Sequence, residues 1–88
     1  GKKLSDKYDY TVAEVVWAVR EEMAQEVEDV LARRVRLLFV DAREAMKAAP
    51  LVAEVMAKEL GKDQAWIDEE VKEFTELAEN YIAAKIMF

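Results

Sequence analysis

The sequence contains no cysteine and no histidine. Without cysteine, the chain can form neither a disulfide framework nor a thiolate metal site. Without histidine, it lacks the commonest general base and the commonest nitrogen ligand of transition metals. A di-iron helix bundle in its usual Glu-x-x-His form is therefore excluded.

Glycine, proline and long apolar runs are also scarce. Two glycines and one proline occur in 88 residues, whereas 53% of the residues are hydrophobic and 36% are charged. This composition is typical of one small domain of packed helices and argues against disorder or a turn-rich β fold. No run approaches the roughly 18 apolar residues of a membrane span. We therefore predict an all-α fold, a small orthogonal bundle of four to five helices.

The first ten residues, GKKLSDKYDY, are polar and aperiodic and lack the apolar core of a signal peptide. The sequence also begins without a methionine. We interpret residues 1–10 as a linker or tail from an upstream domain and residues 11–88 as a single helical domain. The predicted location is cytoplasmic.

Helix signals then follow along the chain. Thr11 and Glu14 have the spacing of a capping box, so a first helix is predicted from about Val12 to Glu22. A break is predicted near residues 24–26, although neither glycine nor proline marks it. The next apolar stripe is spaced for one face of a single helix and consists of Val27, Val30, Leu31, Val35 and Leu38.

A third stripe begins at Ala42 and leads to Pro50, which predicts either a kink or the first turn of a new helix. Gly61 is a typical helix stop, and Asp63 is a candidate N-cap for the next helix. The last helix is predicted from about Gln64 to Ala84. Its apolar face consists of Ile67, Val71, Phe74, Ala78, Tyr81 and Ile82.

A basic cluster of Arg33, Arg34 and Arg36 lies within EDVLARRVRLLF, residues 28–39. Asp29 precedes Arg33 by four residues, which is the favourable orientation for a helical ion pair. We favour a solvated helix face, with arginine stems covering apolar neighbours, over a dedicated anion site. Because acidic residues crowd the same region and the net charge is −6, binding to nucleic acid is not expected.

No catalytic, cofactor-binding or metal-binding residue is predicted. Adjacent carboxylates, such as those in residues 68–70, point to different faces of a helix and are interpreted as solvated surface acids. No glycine-rich loop could cradle a phosphate. The aromatic residues are expected in the core or at an interface, and Trp17, which lies off the main stripe of its helix, is expected to face a partner.

Four segments resemble one known family. They are TVAEVVWAVREEMA (11–24), EDVLARRVRLLFVDA (28–42), the alanine-rich segment ending in Pro50, and MAKELG (56–61). Together they resemble the C-terminal helical domain of FAD-dependent, or aerobic, glycerol-3-phosphate dehydrogenases, from about Tyr8 to Ile82. The departures from the family pattern are local and lie at Trp17, Gln25, Glu26 and Lys62.

The resemblance implies a parent flavoenzyme that oxidises sn-glycerol 3-phosphate to dihydroxyacetone phosphate and passes electrons through FAD to a quinone at the membrane. In that family the FAD-binding and substrate-contacting residues precede this domain, so none is assigned here and the 88 residues alone are not expected to be an enzyme. The expected role is to stabilise the parent enzyme or to contact an upstream FAD-binding domain or another subunit. The resemblance leaves open whether the protein forms a homo-oligomer. The alternatives are a stand-alone helical interaction module and, less favoured, a nucleic-acid-binding domain.

In such a domain, Arg34 or Arg36 is expected to reach a carboxylate or a helix end across the bundle or on the flavin domain. The run LLFV, residues 37–40, is expected to be core.

Overall fold

The computed structural model describes residues 2–87. Its helices are α1 (Val12–Glu22), a π-helix (Asp29–Arg34), α2 (Leu37–Val40), α3 (Ala42–Leu60) and α4 (Gln64–Met87). The described residues form no β-strand, and an isolated antiparallel bridge joins Lys3 to Thr11. The predicted all-α bundle of four to five helices is confirmed. No helix in this part of the chain combines the length and the apolar character that crossing a bilayer requires.

The core is built around α3, which packs against α4 on one side and against α1 and α2 on the others. Small side chains on α3 allow these helices to approach closely, while Phe74 of α4 is the largest fully buried side chain. The fully buried positions of α3 recur at helical spacing and comprise Ala45, Ala48, Ala49, Val52, Ala53 and Met56.

Most predicted helix ends are confirmed. The Thr11 amide donates to Oε2 of Glu14 at 3.0 Å, which completes one half of the capping box. Gly61 ends α3 with φ +70°, a left-handed conformation that glycine adopts without a β-carbon clash. The Trp66 amide donates to Oδ1 of Asp63 at 3.0 Å, so Asp63 caps α4. That helix continues to Met87, three residues beyond its predicted end.

The break after α1 also occurs where it was predicted, but its chemistry is unusual. Met23 takes the left-handed conformation, with φ +59°, and the Ala24 amide donates to the carbonyl of Ala18 at 3.0 Å. This is the closing pattern of a helix that usually ends in glycine. A methionine therefore carries the strain at this position.

The prediction of one regular helix through residues 27–38 is wrong. The Val35 amide donates to the carbonyl of Val30 at 2.9 Å, a five-residue step that marks a π-turn. The wide turn lets the neighbours Val30, Leu31 and Ala32 all be buried, which a regular helix does not favour. Arg36 then adopts φ +58° and separates this segment from α2.

The expectation that LLFV is core is half right. Leu37 and Leu38 are buried, whereas Phe39 and Val40 are exposed, because α2 is a single turn with only one side against the bundle. The next helix, α3, begins with Asp41 as its N-cap and continues through Pro50. The alternative of a new helix starting at Pro50 is therefore wrong.

Residues 2–10, which we call the strap, pack on the bundle. The Leu4 amide donates to the carbonyl of Tyr10, and the Val12 amide donates to the carbonyl of Lys2, both at 2.8 Å. Leu4 and Ser5 are buried. The sequence interpretation as a polar tail missed these contacts, because one apolar residue in ten gives no periodic signal. The domain boundary at residue 10 stays a prediction.

Candidate functional site

The arginine cluster that stood out in the sequence is divided among several partners. Nε of Arg34 lies 3.0 Å from Oε1 of Glu22 on α1, which confirms the prediction of a carboxylate across the bundle. Arg33 lies 4.0 Å from both Asp29 and Glu28, so the predicted pair with Asp29 is present at the limit of an ion pair. All three contacts are solvent-exposed, and each contributes little to stability.

Asp29 has a second role besides its contact with Arg33. Its Oδ2 accepts the amides of Gln25 and Glu26 at 2.9 and 3.0 Å. It thereby satisfies two backbone donors in the segment that leads into the π-helix. A surface depression of about 590 Å³ opens beside Arg33, Arg34 and the exposed Met23. Because carboxylates already face both arginines, this depression offers no free cation to an anionic ligand.

A different arrangement surrounds Arg36. Its guanidinium carbon lies 5.3 Å from the centroid of the Phe39 ring. The Phe39 and Tyr81 rings meet edge to face, with centroids 5.4 Å apart and an interplanar angle of 78°. Nζ of Lys85 lies 5.7 Å from the centroid of the Tyr81 ring. The two rings thus lie next to each other with one cation at each end, and we call these four residues the aromatic row.

The aromatic row borders a groove between α2 and the end of α4. We call it the α2–α4 groove; its volume is about 260 Å³. Phe39, Val40 and Ile86 of the groove are 41%, 57% and 77% exposed. Its charged members include Asp41, Arg43 and Lys85, and its remaining lining residues are Leu38, Ala42, Tyr81 and Ile82. The groove is an open surface feature with a largely apolar lining and is not a closed ligand pocket.

Trp17 lies on α1 away from the α2–α4 groove and is 54% exposed. Its position off the core face was predicted from the spacing of the apolar residues. The partner that it was expected to face stays a prediction.

The prediction that the carboxylates of residues 68–70 are all solvated surface acids is wrong for Glu70. This residue is buried and accepts the Val27 amide at 2.8 Å. Burial raises the pKa of the Glu70 carboxyl, and the nearby acids Glu26, Glu73 and Asp29 raise it further, although the Val27 hydrogen bond acts in the opposite direction. Glu70 therefore joins α4 to the segment that begins the π-helix.

Glu26, Glu70 and Glu73 bring carboxylate oxygens within 4.8 Å of one another. Oxygen ligands of this kind suit a hard divalent cation. However, Glu70 already accepts a backbone amide, and the other two residues are exposed. The cluster is accounted for as a buried anchor with two solvated neighbours.

A polar network fixes the strap to α3. The Ser5 hydroxyl donates to Oε1 of Glu44 at 2.7 Å, and Nζ of Lys47 lies 3.2 Å from Oε2 of the same carboxylate. The Ser5 hydrogen bond, followed by Lys47, lowers the pKa of Glu44. The Tyr8 hydroxyl donates to Oδ2 of Asp41 at 3.2 Å.

Asp41 also accepts the Glu44 amide, and this hydrogen bond is the main reason that its pKa is lowered. A carboxylate that is held ionised in this way is a weak general base near neutral pH. The Ser5–Glu44 hydrogen bond joins the strap to the first turn of α3.

Comparison with known proteins assigns the chain to a family. Residues 1–67 match the model of the C-terminal domain of alpha-glycerophosphate oxidase, which is about three quarters of the chain. The chain belongs to that family. No solved structure matches the chain.

Curated relatives of the domain are named glycerol-3-phosphate dehydrogenases. A probable mitochondrial glycerol-3-phosphate dehydrogenase from Dictyostelium discoideum is 37% identical over 81 residues, which cover 92% of this chain and 12% of the relative. A mitochondrial glycerol-3-phosphate dehydrogenase from Schizosaccharomyces pombe is 42% identical over 64 residues, which cover 73% of this chain and 10% of the relative. The chain thus matches only about a tenth of the length of these relatives.

The family match confirms the resemblance inferred from residues 8–82. Sequence reasoning nevertheless missed the parts of the domain with the most distinctive geometry. Phe39 was assigned to the core, Tyr81 was assigned to the core or an interface, and residues 1–10 were interpreted as a linker or tail. A local pattern gives no signal for such contacts, because the partners are 33 to 43 residues apart in the chain.

Proposed function

We propose that this chain is the non-catalytic C-terminal domain of an FAD-dependent glycerol-3-phosphate dehydrogenase. The parent enzyme would oxidise sn-glycerol 3-phosphate to dihydroxyacetone phosphate and pass the electrons through FAD to a quinone. The observation that carries the proposal is the match of residues 1–67 to a C-terminal domain family, together with relatives of which the matched segments are only 10% and 12%.

The proposed role of the domain is structural. Two buried carboxylates hold separate segments together: Glu44 accepts the Ser5 hydroxyl, and Glu70 accepts the Val27 amide. The α2–α4 groove exposes aromatic and aliphatic side chains, which favours a contact with another domain or subunit. Stabilisation of the parent through such a contact fits these features better than catalysis.

The described residues do not fit a bound FAD. A dinucleotide needs glycines that let the backbone approach the pyrophosphate at the start of a helix. Gly61, the glycine in the described part of the chain, is used to end α3. In our proposal the cofactor is therefore held by an upstream domain of the parent, and no step of the oxidation is assigned to this chain.

The deciding experiment is to isolate the native polypeptide that carries this segment from its source cells, and to measure its mass and visible absorption. We expect a polypeptide several times longer than 88 residues with a flavin spectrum. A polypeptide of about this length without flavin would overturn the proposal.

The alternative is a stand-alone helical interaction module that has kept the fold without the enzyme. The observation in its favour is a continuous hydrophobic core that draws on the strap and all four α-helices and leaves few polar groups buried. The same mass measurement separates the two functions, because the module requires a short native polypeptide. The relatives reported above are named mitochondrial, and a cytoplasmic location for this chain stays a prediction.

A further inference from the structure

We propose that the α2–α4 groove is the docking site for the preceding part of the same polypeptide, which would present an apolar ridge flanked by carboxylates. This inference rests on the proposed function, since it requires a domain upstream of residue 1. To the proposed function it adds the surface that docks, the chemistry of the surface that it contacts, and the residues that make the contact.

The first observation is the clustering of exposed apolar side chains. Five large hydrophobic residues are exposed in the described part of the chain, and Phe39, Val40 and Ile86 of these line this single groove. Scattered exposed hydrophobic residues are ordinary, but a contiguous patch with a polar rim marks an interaction surface. The edge-to-face contact of Phe39 with Tyr81 holds part of this patch in a fixed shape.

The second observation is the charge of the rim. Arg43 and Lys85 line the groove, and Arg36 lies over the Phe39 ring at its rim. None of the three forms an ion pair with the residues that the structure describes. The carboxylate of Asp41 at the same rim is already used by Tyr8 and by the Glu44 amide. In a chain of net charge −6, a local cationic rim favours a partner surface that carries carboxylates.

The third observation is the path of the strap. The Tyr8 hydroxyl contacts Asp41, which itself lines the groove. The strap therefore passes the end of the bundle where the groove opens, and its first described residue, Lys2, pairs with Val12 at the start of α1. A domain joined through the strap would be held near the groove at millimolar effective concentration, so a modest contact would suffice for docking.

Two other occupants are less consistent with these observations. A second copy related by two-fold symmetry would place the same three rim cations of both copies at one interface, where they would repel. A bilayer of anionic lipid would attract the rim but repel the domain as a whole, because its net charge is −6. The upstream part of the polypeptide is constrained by neither difficulty.

The test uses the complete native polypeptide and carbodiimide, which couples a lysine amine directly to a touching carboxylate. Equal amounts of unlabelled and ¹⁵N-labelled protein are mixed, coupled and analysed by mass spectrometry. We expect Lys85 to couple to carboxylates upstream of residue 1 within one isotopic form. Lys58, which is exposed on α3 and does not line the groove, is the matched control and is expected to give no upstream product.

A pair of variants then tests the groove itself. Ile86→Asp places a charge in the groove and is expected to lower the upstream products of Lys85 roughly tenfold. Trp17→Asp makes a similar change at an exposed position outside the groove and is expected to leave them unchanged. Circular dichroism of both variants checks that the helices persist.

Several results would overturn the inference. Lys85 products that join labelled to unlabelled chains would show a second copy in the groove. Groove-dependent sedimentation with phosphatidylserine vesicles would show a lipid surface instead. An absence of upstream products at Lys85 in a long, flavin-containing polypeptide would refute the docking site and leave the proposed function intact, whereas a short polypeptide without flavin would refute both.

Discussion

The side chain of Glu70 accepts a hydrogen bond from the backbone amide of Val27, 43 residues earlier in the chain, at 2.8 Å. Both groups are buried, so this contact fixes the entry to the π-helix against α4. A buried amide that loses its acceptor costs about 1–3 kcal/mol. We therefore expect Glu70→Ala to lower the free energy of unfolding by that amount, measured by urea denaturation at pH 7. Glu69→Ala, at an exposed neighbouring position, is the control and should have little effect.

The charge of Glu70 is a separate matter from its hydrogen bond. Because the pKa of the folded state is raised above the ordinary value of 4.5, the folded protein binds more protons than the unfolded chain between those two pKa values. The contribution of the Glu70 titration to the free energy of unfolding is therefore greatest below pH 4.5 and falls as the pH rises through the raised pKa.

Glu70→Gln keeps an oxygen acceptor for Val27 and removes this titration. We expect the variant to gain stability relative to the natural chain as the pH increases from 4 to 7, in denaturation curves recorded at each pH. A parallel pH dependence in the two proteins would show that the Glu70 titration contributes nothing.

The carboxylate of Glu44 is expected to behave in the opposite way. Its pKa is lowered by Ser5 and Lys47, so its contribution is fully present above pH 4.5 and is lost as the pH falls through the lower folded-state pKa. Glu44→Gln should therefore be least stable, relative to the natural chain, above pH 4.5, and the difference should shrink in acid. Glu54→Gln, at an exposed position of the same helix, should show no such trend.

Removal of the Ser5 hydroxyl tests the attachment of the strap. Ser5→Ala leaves Glu44 without its buried donor, and a hydrogen bond to a charged group is worth roughly 1.5–3 kcal/mol. We expect faster hydrogen exchange at the amides of Leu4 and Val12, which are the donors of the strap's backbone hydrogen bonds. Asp6→Ala, at the exposed neighbouring position, should leave exchange at both amides unchanged.

The strained end of α1 offers a stabilising change. Met23 has φ +59° and is exposed, so its side chain contributes little packing in return for the strain. Met23→Gly is expected to raise the free energy of unfolding by about 1 kcal/mol, since a left-handed conformation costs a residue with a β-carbon 1–2 kcal/mol. Met23→Ala keeps the β-carbon and should give no gain when both variants are compared by urea denaturation.

A buried and an exposed aromatic side chain, Phe74 and Trp17, should contribute very differently to the free energy of unfolding. Phe74 is fully buried, and Phe74→Ala is expected to cost about 3–5 kcal/mol, enough to unfold much of a small domain. Trp17→Ala should change the unfolding free energy by less than about 0.5 kcal/mol. A large loss of stability for Trp17→Ala would contradict its description as a surface residue.

Features with a local physical cause were predictable from the sequence. Thr11 with Glu14, Gly61 and Asp63 act on backbone groups three or four residues away, so their spacing alone indicates helix ends. The π-helix was not predictable in this way, because burial of three consecutive apolar residues at 30–32 overrides the regular helical period. The exposure of Trp17 followed from its spacing, whereas the α2–α4 groove depends on how α2 and α4 meet in space.

The contact between the strap and α3 also sets an order of events during synthesis. Ser5 leaves the ribosome 39 residues ahead of Glu44, and translation at roughly 5–20 residues per second separates the two by about 2–8 seconds. During that interval the strap lacks its partners on α3 and at the N-cap of that helix, Glu44 and Asp41. A domain made before it could complete its own folding first, and its orientation relative to the helices would become fixed only when the start of α3 is available.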